Sequence, residues 1–233
     1  MVVNDLSAIP PASQAPTHHI PAELLLDYAS GSLAEPWSLV VACHLSLCPH
    51  CRAELAAIER VAGAMLDETA PQTLKFSGFA AIEARLGEQE PAPARKAQPA
   101  HRGGGIPAPL REYLRDGIDR IDWRWSGAGL HSWALPVAKA RGGMVSLLKI
   151  APGAAMPLHT HRGEEMTLVL SGGFTDEGGA FTRGDVEIAD GNTEHRPVAM
   201  NDGPCICLAV TDAPLNFRGS FGWVLNQWAR LSA

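Results

Sequence analysis

Apolar residues recur at helical spacing in two stretches near the N-terminus, LLLDYASGSL and the run from Pro36 to Leu47. Gly31 fits the end of the first helix, and Pro36 fits the first turn of the second. A third helix is expected to start at Pro49 and to run through Ala53, Leu55, Ile58 and Val61. A fourth amphipathic segment, LKFSGFAAIEARL, spans 74–86. Residues 22 to 88 therefore read as helical. The stretch QEPAPARKAQPAHRGGGIPAP that follows has no periodic apolar face, and its Pro, Ala and Gly content is that of a linker. Beyond about Arg111 the pattern changes again. Short runs such as MVSLLKI, EMTLVL, DVEIA and CICLAV are separated by glycine, proline and asparagine turns, the mark of an all-β sandwich or barrel. The pattern predicts a two-domain α+β chain. It has a polar tail over 1–17, a small helical domain over 18–88, a linker over 89–109 and an all-β domain over 110–233.

Composition adds exclusions. A length of 233 residues suits one large or two small domains, and 46% hydrophobic residues suit a globular chain. The 23 glycines and 18 prolines belong in turns, strands and linkers. A net charge of -6 argues against a nucleic-acid partner, which calls for a basic face. No run of about 18 apolar residues exists to span a membrane. Residues 1–17 lack the basic start and apolar core of a secretory signal. Five cysteines, three of them close together, suit a reduced, cytoplasmic protein that uses thiolates as ligands.

Two of those three belong to the first candidate metal set, His44, Cys48 and Cys51, spaced H-x3-C-x2-C. On a helix His44 and Cys48 share one face, and Pro49 breaks the helix so that Cys51 can turn back toward them. Tetrahedral zinc wants a fourth ligand. His18, His19, Cys43 and His50 are the candidates. Such a closed site would be structural, holding together short helices that bury too little surface alone.

A second set follows Gly153, with His159, His161 and Glu165 leading to Gly172 in the pattern G-x5-H-x-H-x3-E-x6-G. Residues two apart on a strand point to one face, so His159 and His161 converge. Glu165 keeps that parity only if the strand runs on through Gly163. The pattern resembles the first motif of cupin domains without a mismatch. In their second motif Gly184 and His195 fit, whereas Asp190, Asn192 and Ala199 replace its Pro, Gly and Asn. His195 is then the fourth ligand. Three imidazoles and a carboxylate suit Zn, Fe, Mn or Ni. Cys205 and Cys207 share one strand face, either as buried packing or as a redox pair.

The segment HHIPAELLLDYASGSLAEPWSLVVACHLSLCPHC resembles the N-terminal domain of zinc-containing anti-sigma factors of the ChrR type, which also carry a C-terminal cupin domain. The resemblance covers the whole chain. It implies a zinc held by His19, His44, Cys48 and Cys51, and a second zinc in the cupin. It implies sequestration of an extracytoplasmic-function-type sigma factor by the helices, and release on an oxidative signal, singlet oxygen or organic peroxide, sensed by the cupin. It implies no catalysis. The competing reading is a metal-dependent cupin oxygenase or isomerase with an accessory zinc domain, in which Glu164 or Asp185 could act as acid or base. Residues 18–88 hold four Lys/Arg and nine Asp/Glu, a balance of 4 − 9 = −5, with Glu23, Asp27 and Glu35 on an acidic helical patch. Such a domain is steered toward basic protein surfaces and away from DNA.

Overall fold

The computed structural model describes residues 15–73, 78–86, 105–114, 120–127, 129–137 and 143–217. The helical N-terminal part comprises α1 (Ala22–Ser30), α2 (Glu35–Leu47) and α3 (Pro49–Asp67). Gly31 closes α1 at φ 72, a left-handed conformation that costs glycine nothing. Pro36 occupies the first turn of α2, where its missing N–H would have been unpaired anyway. Cys48 is extended (φ -104, ψ 107), and Pro49 opens α3 directly behind it. The fourth segment is helical over α4 (Gly78–Leu86), with residues 74–77 outside the described ones. A single turn, α5 (Ala108–Arg111), follows at the end of the expected linker.

The β-rich part carries β1 (Arg124–Gly127), β2 (Leu130–Ala134), β3 (Met144–Ile150), β4 (His159–His161), β5 (Glu165–Ser171) and β6 (Gly173–Asp176). It continues through β7 (Gly179–Thr182), β8 (Val186–Ala189), β9 (Val198–Ala199), β10 (Cys205–Thr211) and β11 (Leu215–Phe217). A six-stranded sheet in the order β1-β2-β3-β10-β5-β8 is accompanied by a β11-β4 pair and a β7-β6-β9 sheet. The strand pairs within them are antiparallel.

β5 and β10 lie inside the large sheet and are buried on both faces, which explains why EMTLVL and CICLAV read as unbroken apolar runs. Met166, Leu168, Leu170, Ile206, Leu208 and Val210 belong to one apolar cluster with Leu25, Val40 and Val41 of the helices. Val169, Cys205 and Cys207 pack on the other side with Phe174, Phe181 and Ala199. α2 is buried nearly all round because α1 and α3 flank it while the sheet receives its far side. Each fully buried Leu or Val there contributes about 1.5–3 kcal/mol. The two parts therefore share one core. Leu110, in α5, is buried in that same core. Residues 1–14 of the expected tail lie outside the described ones, and its last residue, Thr17, is bonded to Asp185 of the β-rich part.

Candidate metal centres

The first centre forms where α2 hands over to α3. His44 and Cys48 are one turn apart, and Cys51 sits in the first turn of α3 with its N–H donating to Cys48 Sγ at 3.4 Å. An extended strap ahead of α1 brings in His19. Ligand atoms of His19, His44, Cys48 and Cys51 all lie within 4.8 Å of one another. His44 Nε2 is 3.2 Å from Cys51 Sγ, and His19 Nδ1 is 3.3 Å from Cys48 Sγ. Tetrahedral zinc with ordinary Zn–S and Zn–N bonds requires S···N edges of about 3.5 Å, so the donor set fits that ion.

The other fourth-ligand candidates are outside the cluster. His18 Nδ1 is 3.5 Å from Asp185 Oδ1, and its ring packs at a tilt against Phe181. His50 pairs with Glu54 at 3.3 Å. Cys43 points into the core, where burial pushes its thiol up to about 12. Burial also sets the chemistry of the ligands. It lowers His44 to about 4, against a bond to the Gly184 carbonyl, and it raises Cys51 to about 11. Burial lowers His19 as well. Neutral imidazoles and a thiol that must lose its proton are what a closed zinc site begins from.

The second centre lies inside the β-rich part. β4 supplies His159 and His161, and His195 pairs with His159 through an isolated bridge whose two main-chain N–H···O bonds are 3.2 and 3.1 Å. His195 Nε2 is 3.1 Å from both His161 Nε2 and His159 Nε2, and all three rings are buried. Three imidazoles on one metal ion stand about 3.3 Å apart at their nitrogens, so these residues also fit an ion. His159 Nδ1–H donates to the Pro157 carbonyl at 2.8 Å, and His195 Nδ1–H is shared between Asp176 Oδ2 and Glu187 Oε1, both at 2.9 Å. These bonds turn the Nε2 atoms of His159 and His195 toward the centre. His161 Nδ1 is buried without a hydrogen-bond partner, with Glu165 Oε2 at 3.8 Å.

Glu165 is thus beside the trio and not within it. The strand parity breaks at 162–164, so Glu165 starts β5 instead of continuing β4. Its other oxygen accepts from the Thr167 hydroxyl at 3.1 Å, and burial raises its carboxyl.

Sequence reasoning missed Asp176 and Glu187. Burial acts to lower His195, but hydrogen bonds and charge from these two carboxylates prevail and lift it to about 9. Burial likewise raises Glu187 to about 7. The available signal was Glu187 itself, an acid standing inside the strand run DVEIA. The departure from the second cupin motif also has an account: Asp190 Oδ1 accepts from the N–H groups of Asn192 (2.9 Å) and Thr193 (3.2 Å) and closes the turn that a glycine otherwise makes. Beside this centre opens a cavity of about 280 Å³ lined by His18, Phe181, Glu187 and His195.

Cys205 and Cys207 lie 3.5 Å apart at sulfur and are buried; their mutual bond and burial push the Cys207 thiol well up. Asp185 is buried at the junction of the two parts and accepts main-chain bonds, a poor placement for proton transfer. Among the described residues no helix is long and apolar enough to cross a membrane.

Comparison with known proteins agrees in extent with this architecture. The model of the ChrR cupin-like domain matches residues 115–214. The anti-sigma-E factor ChrR of Cereibacter sphaeroides is 47% identical over 216 residues, covering 92% of this chain and 98% of the relative. The crystal structure of Rhodobacter sphaeroides SigE in complex with the anti-sigma ChrR superposes with a TM-score of 0.72 at 42% identity, over 85% of this chain and 100% of that one.

Proposed function

The chain belongs to the ChrR family of anti-sigma factors, and from that premise we propose that its helical part sequesters an extracytoplasmic-function-type sigma factor in the cytoplasm while its β-rich part reports an oxidative signal. The observation that carries the reading is the His19, His44, Cys48 and Cys51 set at the root of helices whose outer faces are apolar. Val61, Met65 and Leu66 of α3, and Phe79, Ile82 and Leu86 of α4, are exposed. Exposed apolar rows on amphipathic helices are the usual means of entering a groove on a partner.

A zinc ion at the first centre would lock α3 and the strap against α2, which the shared core already holds in place. His19 and His44 would bind through neutral nitrogens, and Cys48 and Cys51 as thiolates. At the second centre His159, His161 and His195 would hold a second ion, zinc by family likeness, with Glu165 completing the set by swinging from beside His161 Nδ1 to the Nε2 side. Asp176 and Glu187 fix the His195 tautomer. The 47%-identical relative is named an anti-sigma factor, which supports a binding role over an enzymatic one.

The test is complex formation. The full chain mixed with the cognate sigma factor should co-elute as a stable complex and suppress sigma-dependent transcription. Absence of any such complex, or turnover of a small molecule lost in His159→Ala, would instead favour the enzyme reading.

A further inference from the structure

Four consecutive residues connect the two centres. The Gly184 carbonyl accepts Nδ1–H of His44 at 2.8 Å. Asp185 Oδ1 accepts the N–H groups of Thr17 at 2.6 Å and His18 at 2.9 Å, while its Oδ2 accepts the Thr182 N–H at 2.7 Å and hydroxyl at 3.0 Å. Val186 N–H donates to the His18 carbonyl at 3.3 Å. Glu187 Oε1 accepts from Nδ1 of His195 at 2.9 Å. One end of the segment thus holds a ligand of the second centre. The other end holds a ligand of the first and the strap that carries His19. The approach is close: Gly184 is at φ 96, and a Cβ there would stand 2.7 Å from Pro16 Cγ.

We propose that Gly184–Glu187 couples the two metal centres, with Asp185 as the positioning residue, so that occupancy of the His159/His161/His195 site sets how tightly the first site holds its zinc. This rests on the reading that both sets bind metal. An ion on His195 Nε2 fixes the ring, and through Nδ1–H it fixes Glu187 at the head of β8. The head of β8 in turn fixes Asp185 against the strap and Gly184 against His44. Without the ion Glu187 loses the fixed ring at one end, and the carbonyl that orients His44 is left with the main-chain ties of Gly184 to Val169 and of Asp185 to Thr182. An acceptor that orients a ligating imidazole in this way typically changes metal affinity by about 10–100-fold. Linkage requires the effect to run equally in both directions.

The experiment measures zinc affinity of the first site in the full-length chain by competition with a chromophoric chelator. It compares the intact β-rich site with His159→Ala/His161→Ala, which cannot hold an ion there. The expected ratio is about fivefold or more, within the usual span of coupling between sites. Asp185→Asn should bring the ratio close to one. Thr17→Pro, which removes a donor from the strap and leaves the barrel's own bonds alone, should do the same if Asp185→Asn fails to fold. A ratio near one in the parent chain, or an undiminished ratio in the folded variants, overturns the coupling. No sigma factor enters the measurement. A chain that binds sigma with a ratio of one loses the coupling alone, and a coupled chain that binds no sigma loses the proposed function alone.

Discussion

His44 and Gly184 stand 140 positions apart in sequence, and the ring N–H of the first donates to the carbonyl of the second at 2.8 Å. The bond settles the tautomer of a metal ligand, leaving Nε2 free to face Cys51 Sγ. The helical centre is therefore finished by the β-rich part. Metal sites are commonly oriented by such outer partners, but here the partner comes from the other half of the chain.

Metal content follows from the two donor sets. The full chain should hold two zinc ions, and Cys51→Ala and His161→Ala should hold one each. Cys51→Ala should also lose helical signal from α3, because the zinc ties α3 and the strap to α2, which the shared core holds by itself. Elemental analysis with circular dichroism checks this, and two ions retained in either variant would contradict it.

Protonation predicts a heat signature. At pH 8 Cys51, raised by burial to about 11, is a thiol. His195, lifted to about 9 against burial by Glu187 and Asp176, is an imidazolium. His44, His159 and His161, lowered to about 4 by burial, carry no proton to lose. Metal uptake should then release at least one proton at each centre, and affinity should rise about tenfold per pH unit per proton. Calorimetry in buffers of different ionisation heat reads the number directly; zero release would refute the assignment.

Asp176→Asn and Glu187→Gln should each weaken metal binding at the second centre by about 10–100-fold, since each takes charge from the Nδ1–H acceptor pair of His195. Chelator competition checks the loss. Glu164→Gln, on an exposed carboxylate, should leave it unchanged.

Much of this was legible in the chain. H-x3-C-x2-C and H-x-H were legible because local spacing decides which side chains share a face, and the structure brings His44, Cys48 and Cys51 together and sets His159 beside His161. The α3 boundary followed from Pro49. The Glu165 parity was conditional on a strand running through Gly163, and it ends locally at 162–164. Two features escaped because they are long-range. Asp176 and Glu187 join His195 only once β6 and β8 are in place. The junction through Asp185 pairs residues 167 and 168 positions apart, a separation for which no spacing rule exists. The linker reading rested on composition and said nothing of the core that α2 shares with β5 and β10.

The exposed apolar row supplies a binding prediction. Leu66→Ala in α3 and Phe79→Ala in α4 should leave the fold intact, as both side chains stand in solvent. Each should weaken sigma binding by about 1–4 kcal/mol if it fills a partner pocket. Titration calorimetry against the sigma factor decides it, and unchanged affinity in both variants would remove these helices from the interface.

The division of labour between the centres is tested most directly by inhibition of sigma-dependent transcription in vitro, with full-length Cys51→Ala and His161→Ala compared with the parent chain. The account predicts that Cys51→Ala loses inhibition while His161→Ala inhibits as the parent does. Equal loss in both variants, or full inhibition by Cys51→Ala, would contradict it.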